Sequence, residues 1–490
     1  LQEVLSLPPR PQADIAPSLA ASRAVSALKS EFDAQWGGFG QAPKFPSPAS
    51  LFLMWHQAER GDELARSMVL ETLAMMGRGA IYDQLGGGFH RYTLDLAWRI
   101  PHFEKMLYDN ALLADLLIVT TAATGDRDLE RLARGVLDFL LAEMRLPGGG
   151  FKSAIDAETG GVEGAFYIWQ RAELEGVLNG PDFALLGPIL GFEGPPNFED
   201  HYYTLYLTDS LQHHAERLDL SREELLTRID PILGSLEEIR SRRPFPLVDD
   251  KVLTDWNGMA ISALARAGQL LSEERYTRAA SQAAEFVLGL RDDEGTQLHV
   301  WRDGVAKQRA FLDDYAYLVR GLLALYESTG ERRWLDESVR LTKEMDRELS
   351  EPTGGYFNGP MDPTLLVRSS SAMGGAIPSG NGVAMINLLR LAELTDRPIF
   401  QARAVTAIQA YSGALVAAPV AMPTVALAAQ MAPKGELVKE RDLVSAELRV
   451  TDGLAEDGWQ RFVLHLSVRQ GWHLNANPAS DEFLVPTRLA

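Results

Sequence analysis

The residues best equipped for chemistry crowd into one stretch, Ile81–Asn110, IYDQLGGGFHRYTLDLAWRIPHFEKMLYDN. It holds His90, Arg91, Trp98, His102, Glu104, Tyr108 and Asp109, groups that can move protons, pair with charge and stack on rings. Gly86–Gly88 tolerate positive φ and close backbone approach, which predicts a tight turn with Phe89–Tyr92 extended after it. Pro101 suits the first position of a helix. On that helix His102, Met106 and Asp109 share one face, and Glu104 and Tyr108 share another. A polar cluster at a helix mouth beside a glycine turn can floor a pocket. It can equally be a capping network that only pins loop to helix.

Two further groups of acids stand at predicted helix starts. Asp249-Asp250-Lys251 precedes Asp255-Trp256-Asn257, and Asp313-Asp314-Tyr315 repeats the design. Capping and the helix dipole account for one acid of each pair and leave the other to face inward, which selects Asp250 and Asp314. Asp156 and Glu158 follow a glycine turn, and Tyr167 lies in an aromatic run. Pro378–Asn381 (PSGN) reads as a turn and cap from which Ser379 and Asn381 can reach a ligand. No His/Asp/Glu group has a ligand spacing such as HExxH, Cys is absent, and no glycine-rich phosphate loop occurs. Neither a metal nor a cofactor is expected.

The elements that position these residues are mostly helical. The period-3.6 pattern predicts helices over 16–31, 49–59, 62–82, 101–124 and 128–146. It continues over 171–178, 182–190, 220–240, 251–274, 275–290, 313–329, 333–349, 381–395 and 398–415, with 163–169 as a strand. Glycine–aromatic turns recur at Gly37–Phe39, Gly86–Phe89, Gly148–Phe151 and Gly354–Phe357, with a weaker copy at Gly295–Trp301. Two helices lie between most of them, a period of roughly fifty to sixty residues that means an array or closed toroid of about six helical hairpins. Residues 15–430 are therefore expected to form the helical domain, behind a Pro-rich linker at 1–14. From about Glu436 the period changes to two: LVSAELRV and RFVLHLSV predict a hairpin opening a partial β-sandwich-like domain over 436–490.

Bulk properties exclude some functions. The net charge of -20 argues against a nucleic-acid partner, and apolar runs such as Ala414–Ala429 are too short and too Pro-broken to enter a membrane. A cytoplasmic home is the simpler default. The start at Leu1, without Met or a signal peptide, reads as part of a longer or processed polypeptide.

Six motifs, FGQAPKFPSP, the Ile81–Leu113 stretch, DAETGGVEGAFYIW, DDKVLTDWNGMAISALARA, DDYAYLVRGLLALYE and IPSGNGVA, resemble the YyaL and spermatogenesis-associated protein 20 family. The resemblance implies a mainly α chain built as an (α/α)6 barrel, the six-hairpin glycosidase-like toroid, with a short C-terminal β segment. It also implies a thioredoxin-like module, absent from this chain, as a partner. GWHLNANPASDEFLVPT resembles the start of the DsbD N-terminal domain. The family's barrel is similar to N-acylglucosamine 2-epimerases and to glycoside hydrolases. This implies a small-molecule or carbohydrate ligand in a funnel, and acid–base chemistry on a sugar or sugar derivative, whether epimerisation, isomerisation or hydrolysis. Hydrolysis needs two carboxyl groups, whereas epimerisation typically needs two histidines, and no histidine falls between His299 and His465. On this reading His102 and Asp314, with Asp250, carry catalysis. His90, Arg91, Trp98, Glu104, Tyr108, Asp109, Asp156, Glu158, Tyr167, Asp255, Trp256, Asn257, Asp313, Tyr315, Ser379 and Asn381 bind substrate. The rival expectation is a non-catalytic scaffold that recognises a glycan or peptide beside the thioredoxin-like module.

Overall fold

The computed structural model describes residues 16–432 and, beyond them, the strands 444–454 and 460–468. The helices sort by how their apolar residues are distributed. Leu107–Thr124 (LYDNALLADLLIVTTAAT) is buried around nearly its whole circumference, as a helix enclosed by others must be. Arg127–Phe139 instead buries one stripe, Leu129, Ala133, Val136 and Leu137, and leaves its charged face to water. Inner and outer helices alternate in this way along the chain.

We number the helices α1 (Pro17–Ser30), α2 (Pro48–Glu59), α3 (Glu63–Arg78), α4 (Leu107–Thr124) and α5 (Arg127–Phe139). Then follow α6 (Arg171–Val177), α7 (Gly180–Leu190), α8 (Leu211–Arg217) and α9 (Arg222–Arg240), which lie in an insertion. The series ends with α10 (Thr254–Leu270), α11 (Glu274–Leu288), α12 (Leu312–Thr329), α13 (Arg332–Leu349), α14 (Gly380–Thr395), α15 (Pro398–Ala417) and α16 (Pro423–Met431). Helices α2, α4, α10, α12, α14 and α16 pack side to side into a closed inner ring, α16 returning to α2. Around it α3, α5, α11, α13, α15 and α1 each back one inner helix. The fold is an (α/α)6 barrel, mainly α as the sequence implies.

The sixth hairpin differs from the expected one. The 171–190 pair lies in the insertion, whereas the ring is closed by α16, with α1 from the other end of the chain against it. Pro423 at the first turn of α16 starts a helix rather than breaking one.

Each chemistry-bearing loop runs from an outer helix to the next inner one, and each begins with the repeated turn. Backbone bridges Phe32–Phe39, Tyr82–Phe89, Arg145–Phe151, Arg291–Gln297 and Ser350–Tyr356 close five such turns. Gly87 and Gly88 take φ of 74° and 77°, and a Cβ on Gly87 would meet the Gly135 carbonyl oxygen at 2.4 Å. Three inner-helix asparagines then hold the turns. Asn110 accepts from Phe89 N at 2.6 Å and donates to Phe89 O. Asn257 does the same to Phe151, and Asn381 to Tyr356.

Small strands stitch these loops together: β1 (Tyr92–Thr93) pairs with β2 (Pro101–His102), and β3 (Lys105–Met106) with β4 (Ala154–Ile155). Pro101 thus opens a strand, and the helix expected there starts only at Leu107, so the face shared by His102 and Asp109 does not exist. Strands β5 (Glu158–Thr159) and β6 (Val162–Glu163) form a hairpin, and 164–167 is a turn where a strand was expected. Strand β7 (Val248–Asp249) joins β4, and β8 (Val252–Leu253) edges the hairpin β9 (Leu298–Arg302)–β10 (Val305–Arg309). The C-terminal strands β11 (Val444–Leu454) and β12 (Gln460–Val468) pair antiparallel, as the period-two pattern predicts. The linker at 1–14 and the GWHLNANPASDEFLVPT segment lie outside the described residues.

Candidate active site

The N-terminal ends of the inner helices face the glycine–aromatic loops, so the acids that begin α4, α10 and α12 gather at one rim of the barrel. The densest group is Asp255, His299, Asp313 and Asp314. His299 projects from β9, and its Nδ1 lies 2.9 Å from Asp314 Oδ2 and 3.0 Å from Oδ1. Asp314 is fully buried and also accepts from Phe311 N (2.7 Å) and Asp255 N (3.1 Å). It therefore caps its own helix and fixes the imidazole with one carboxylate. The Phe311 ring stands edge-on to His299, at 5.0 Å and 88°.

Three carboxyl groups share this small volume with one histidine, and the electrostatics follow from that imbalance. Burial, together with the charges of Asp314 and Asp313, raises Asp255 well above the usual carboxylate range. Asp313 is raised to about 6 by burial and by Asp314, against a hydrogen bond from Gly380 N that favours its charge. Burial opposes charge on His299, but the hydrogen bond and charge of Asp314 outweigh it and raise the imidazole. Both carboxyls and the imidazole thus lie above their ordinary values.

Asp255, His299 and Asp314 each bring a ligand atom within 4.8 Å of the others, the one such group among the described residues that could hold an ion. Sequence spacing misses it because the three come from separate elements. His299 itself was missed as a site residue, and the signal that could have found it is its place directly after the weak glycine turn, before the Asp313-Asp314 pair.

The Ile81–Asn110 residues divide. Arg91 pairs with Glu104 at 2.8 Å, and Tyr108 meets the ring of Trp256 at 4.8 Å, so this cluster and the Asp255 cluster share a wall. Asp109 is buried with Oδ2 unpartnered, and burial, aided by Glu104, raises its carboxyl well above the ordinary range. His102 is not paired with Asp314: it bonds Glu163 at 2.6 Å and stacks on Tyr92. His90 is enclosed by Phe103 and Tyr167, and burial and Lys105 lower it to about 3, so it stays neutral. Trp98 is wholly buried under Lys44, its indole N–H donating to Trp36 O at 2.8 Å.

The remaining expected site residues do other work. Asp250 lies part-exposed in an ion pair with Arg302 at 2.8 Å, and Asp255, five residues on, takes the inward place beside Asp314. Asp156 and Glu158 are exposed on the β5–β6 side. Tyr167 is core, stacked on Phe103. Tyr315 turns outward to donate to Glu344 at 2.9 Å. Ser379 caps α14 through Gly382 N, while Asn257 and Asn381 are spent on their loops.

Among curated proteins, the chain is 33% identical over 444 residues to mouse spermatogenesis-associated protein 20, covering 82% of this chain and 56% of the relative. It is 34% identical over 461 residues to the rat protein, covering 85% and 58%. The chain thus spans a little over half the length of these relatives. Among solved structures, it is similar to a GH76 alpha-mannanase of Bacteroides thetaiotaomicron (TM-score 0.52, 10% identity, 85% of this chain and 96% of that one). It is equally similar to a D-mannose isomerase (TM-score 0.52, 10% identity, 82% and 87%). At such identities the likeness concerns the fold alone. No family model matches the chain. No helix among the described residues is long and apolar enough to cross a membrane. The six motifs, the six-hairpin ring and similarity along more than four-fifths of this chain align it with the mouse, rat and human spermatogenesis-associated protein 20 over a little over half of their length.

Proposed function

We propose that the chain is an enzyme that moves a proton on a sugar or sugar derivative at the N-terminal rim of the barrel, as in an isomerisation or epimerisation. One observation carries the reading: Asp314 holds His299 at 2.9 Å beside Asp255 and Asp313, two carboxyls that burial raises above the ordinary range. In this reading His299 and Asp255 exchange protons with substrate, Asp314 orients His299, and Asp313 completes the relay. Trp256, half-buried and set by the buried Tyr108, offers a ring for a sugar to stack against. A second histidine is not required, because a carboxyl raised by burial can serve as the other acid–base group.

Hydrolysis is supported less well. The ligand oxygens of Asp255 and Asp314 lie within 4.8 Å, well short of the roughly 6.5–9.5 Å between carboxyl groups that an inverting mechanism needs. A retaining mechanism needs a free carboxylate nucleophile, and Asp314 is already committed to an imidazole and two backbone amides. The scaffold reading draws on the first cluster, where Arg91–Glu104 and His102–Glu163 satisfy each other.

The test is proton exchange in deuterated water, followed by NMR over a panel of aldoses, ketoses, uronic acids and amino sugars. Deuterium should enter a carbon-bound position of one sugar with wild type and with His102→Ala. It should not enter with His299→Gln or Asp255→Asn. Exchange that survives His299→Gln would sink the assignment. Binding without exchange would turn the case to the scaffold.

A further inference from the structure

The barrel has a second end. The loops from inner to outer helices are only two or three residues long at 60–62, 125–126, 271–273, 330–331 and 396–397. They cannot roof the ring, whereas the rim carries all the long loops. Inside the ring lies a cavity of about 450 Å³, bounded by α2, α10, α12, α14 and α16 with Val119 of α4. Its lining becomes more exposed along the helices. Thr424, near the start of α16, is 5% exposed, Arg266 near the end of α10 is 32%, and Glu59 at the end of α2 is 50%. The pocket is therefore blind toward the rim and opens on the opposite face.

Its lining is rich in donors. Arg266, Arg320 and Arg390 converge on it from three helices. Asp115 uses one oxygen on Arg266 (3.0 Å) and the other on Arg320 (2.7 Å) and Ser262 (3.3 Å), and Glu327 is taken up by Arg390. Asp115 and Glu327 are thus spent and Glu59 stands half-exposed at the mouth near the Arg266 charge, while each guanidinium has five N–H groups and has used only part of them. Three more polar atoms of lining residues, Thr424 Oγ1, His56 Nε2 and Trp55 Nε1, are buried without a partner. Phe52, with Arg320 stacked over it at 5.1 Å, and Trp55 supply ring faces. A buried hydroxyl without a partner, beside arginines with N–H groups to spare, suits a ligand that brings acceptors of its own.

We propose that this opposite-face pocket binds a small polyol bearing an oxyanion, a sugar carboxylate or sugar phosphate. Arg320 and Arg266 grip the anion, and Thr424 meets a hydroxyl at the floor. The cavity volume suits a body of monosaccharide size. The site is separate from the Asp255–His299 rim and does not depend on the reaction assigned there.

Isothermal titration of the full chain with glucuronate, glucose 6-phosphate and neutral glucose tests it. At least one charged sugar should bind, about tenfold or more tighter than glucose, and which one binds separates carboxylate from phosphate. Arg320→Gln, which leaves Asp115 with Arg266 and Ser262, should weaken that binding by about tenfold or more, and Leu427→Trp, which fills the cavity from α16, should abolish it. Asp255→Asn, at the rim, should leave it unchanged. The proposal is overturned if neither charged sugar outbinds glucose, if binding survives Leu427→Trp, or if Asp255→Asn removes it. Should Arg320→Gln fail to fold, Leu427→Trp and Thr424→Val decide, the latter by a weakened affinity with the fold intact.

Discussion

Replacing Asp313 by asparagine should make the protein more stable and less active at once. The Asp313 carboxyl sits at about 6 in the folded chain against an ordinary 3.8, because burial and the Asp314 charge disfavour its ionisation. The folded state therefore binds this proton more tightly than the unfolded chain does. Stability from this group is complete below about pH 4, declines as pH rises toward 6, and is lost above. The full displacement corresponds to about 3 kcal/mol, and shared titration with Asp314 and His299 makes about 2–3 kcal/mol the fair expectation. Asparagine keeps the acceptor for Gly380 N and carries no charge to penalise. Urea denaturation at pH 4, 6 and 8 should give matching curves for wild type and Asp313→Asn at pH 4. At pH 8 the variant should be the more stable. Equal stability at pH 8, or a deficit at every pH, would refute the claim that this rim confines excess negative charge. If the variant is stabilised and also loses proton exchange, strain and function are located in the same side chain.

Four further outcomes are expected. Asp83→Asn strips the buried Lys105 (2.8 Å) and Arg240 (2.7 Å) of their shared counter-charge and should cost about 3–5 kcal/mol in chemical denaturation. In the first repeat Lys44 pairs with the more exposed Asp33 at 2.7 Å and also donates to Leu96 O, so Asp33→Asn removes one counter-charge from one cation and should cost less. Because Asp83 is held far below the ordinary carboxylate range by Arg240 and Lys105 against its burial, its contribution should persist at neutral pH and fade only in strong acid. Asn110→Ala, Asn257→Ala and Asn381→Ala should each cost about 2–4 kcal/mol by leaving a turn's buried N–H and C=O unpaired, with hydrogen exchange quickening at Phe89, Phe151 and Tyr356 respectively.

What could be read from the sequence was whatever depends on local rules. The turns at Gly37, Gly86, Gly148 and Gly354 announce themselves because positive φ and close approach leave glycine almost no substitute. The hairpin period then follows from counting between them. The ring's closure was hidden, because α1 and α16 meet only in space and a short Pro-led apolar run looks like more of the preceding helix. Pro101 misled because proline fits the first residue of a strand as well as the first turn of a helix. Asn257 and Asn381 looked like ligand residues since nothing local reveals that their amides are used on a backbone far away in sequence. The same blindness explains His299 and Asp255. Their chemistry comes from sharing one buried carboxylate, and no spacing rule reports a partner across a strand, a turn and a neighbouring helix.

The closure of the ring by α16 against α1 and α2 also fixes an order of events during synthesis. Until the ribosome has released residues up to about Met431, the groove between α14 and α2 has no wall, and the apolar inner faces of five helices stay open to solvent or to whatever chaperone attends them. Non-local closure of this kind is slow and exposes sticky surface meanwhile. A stop codon or a protease cut before Pro423 would therefore leave not a slightly shortened barrel but an unclasped one. Lesions clustered in this modest nine-residue helix should behave as folding defects, far from any chemistry, and be met by quality control before activity is ever an issue.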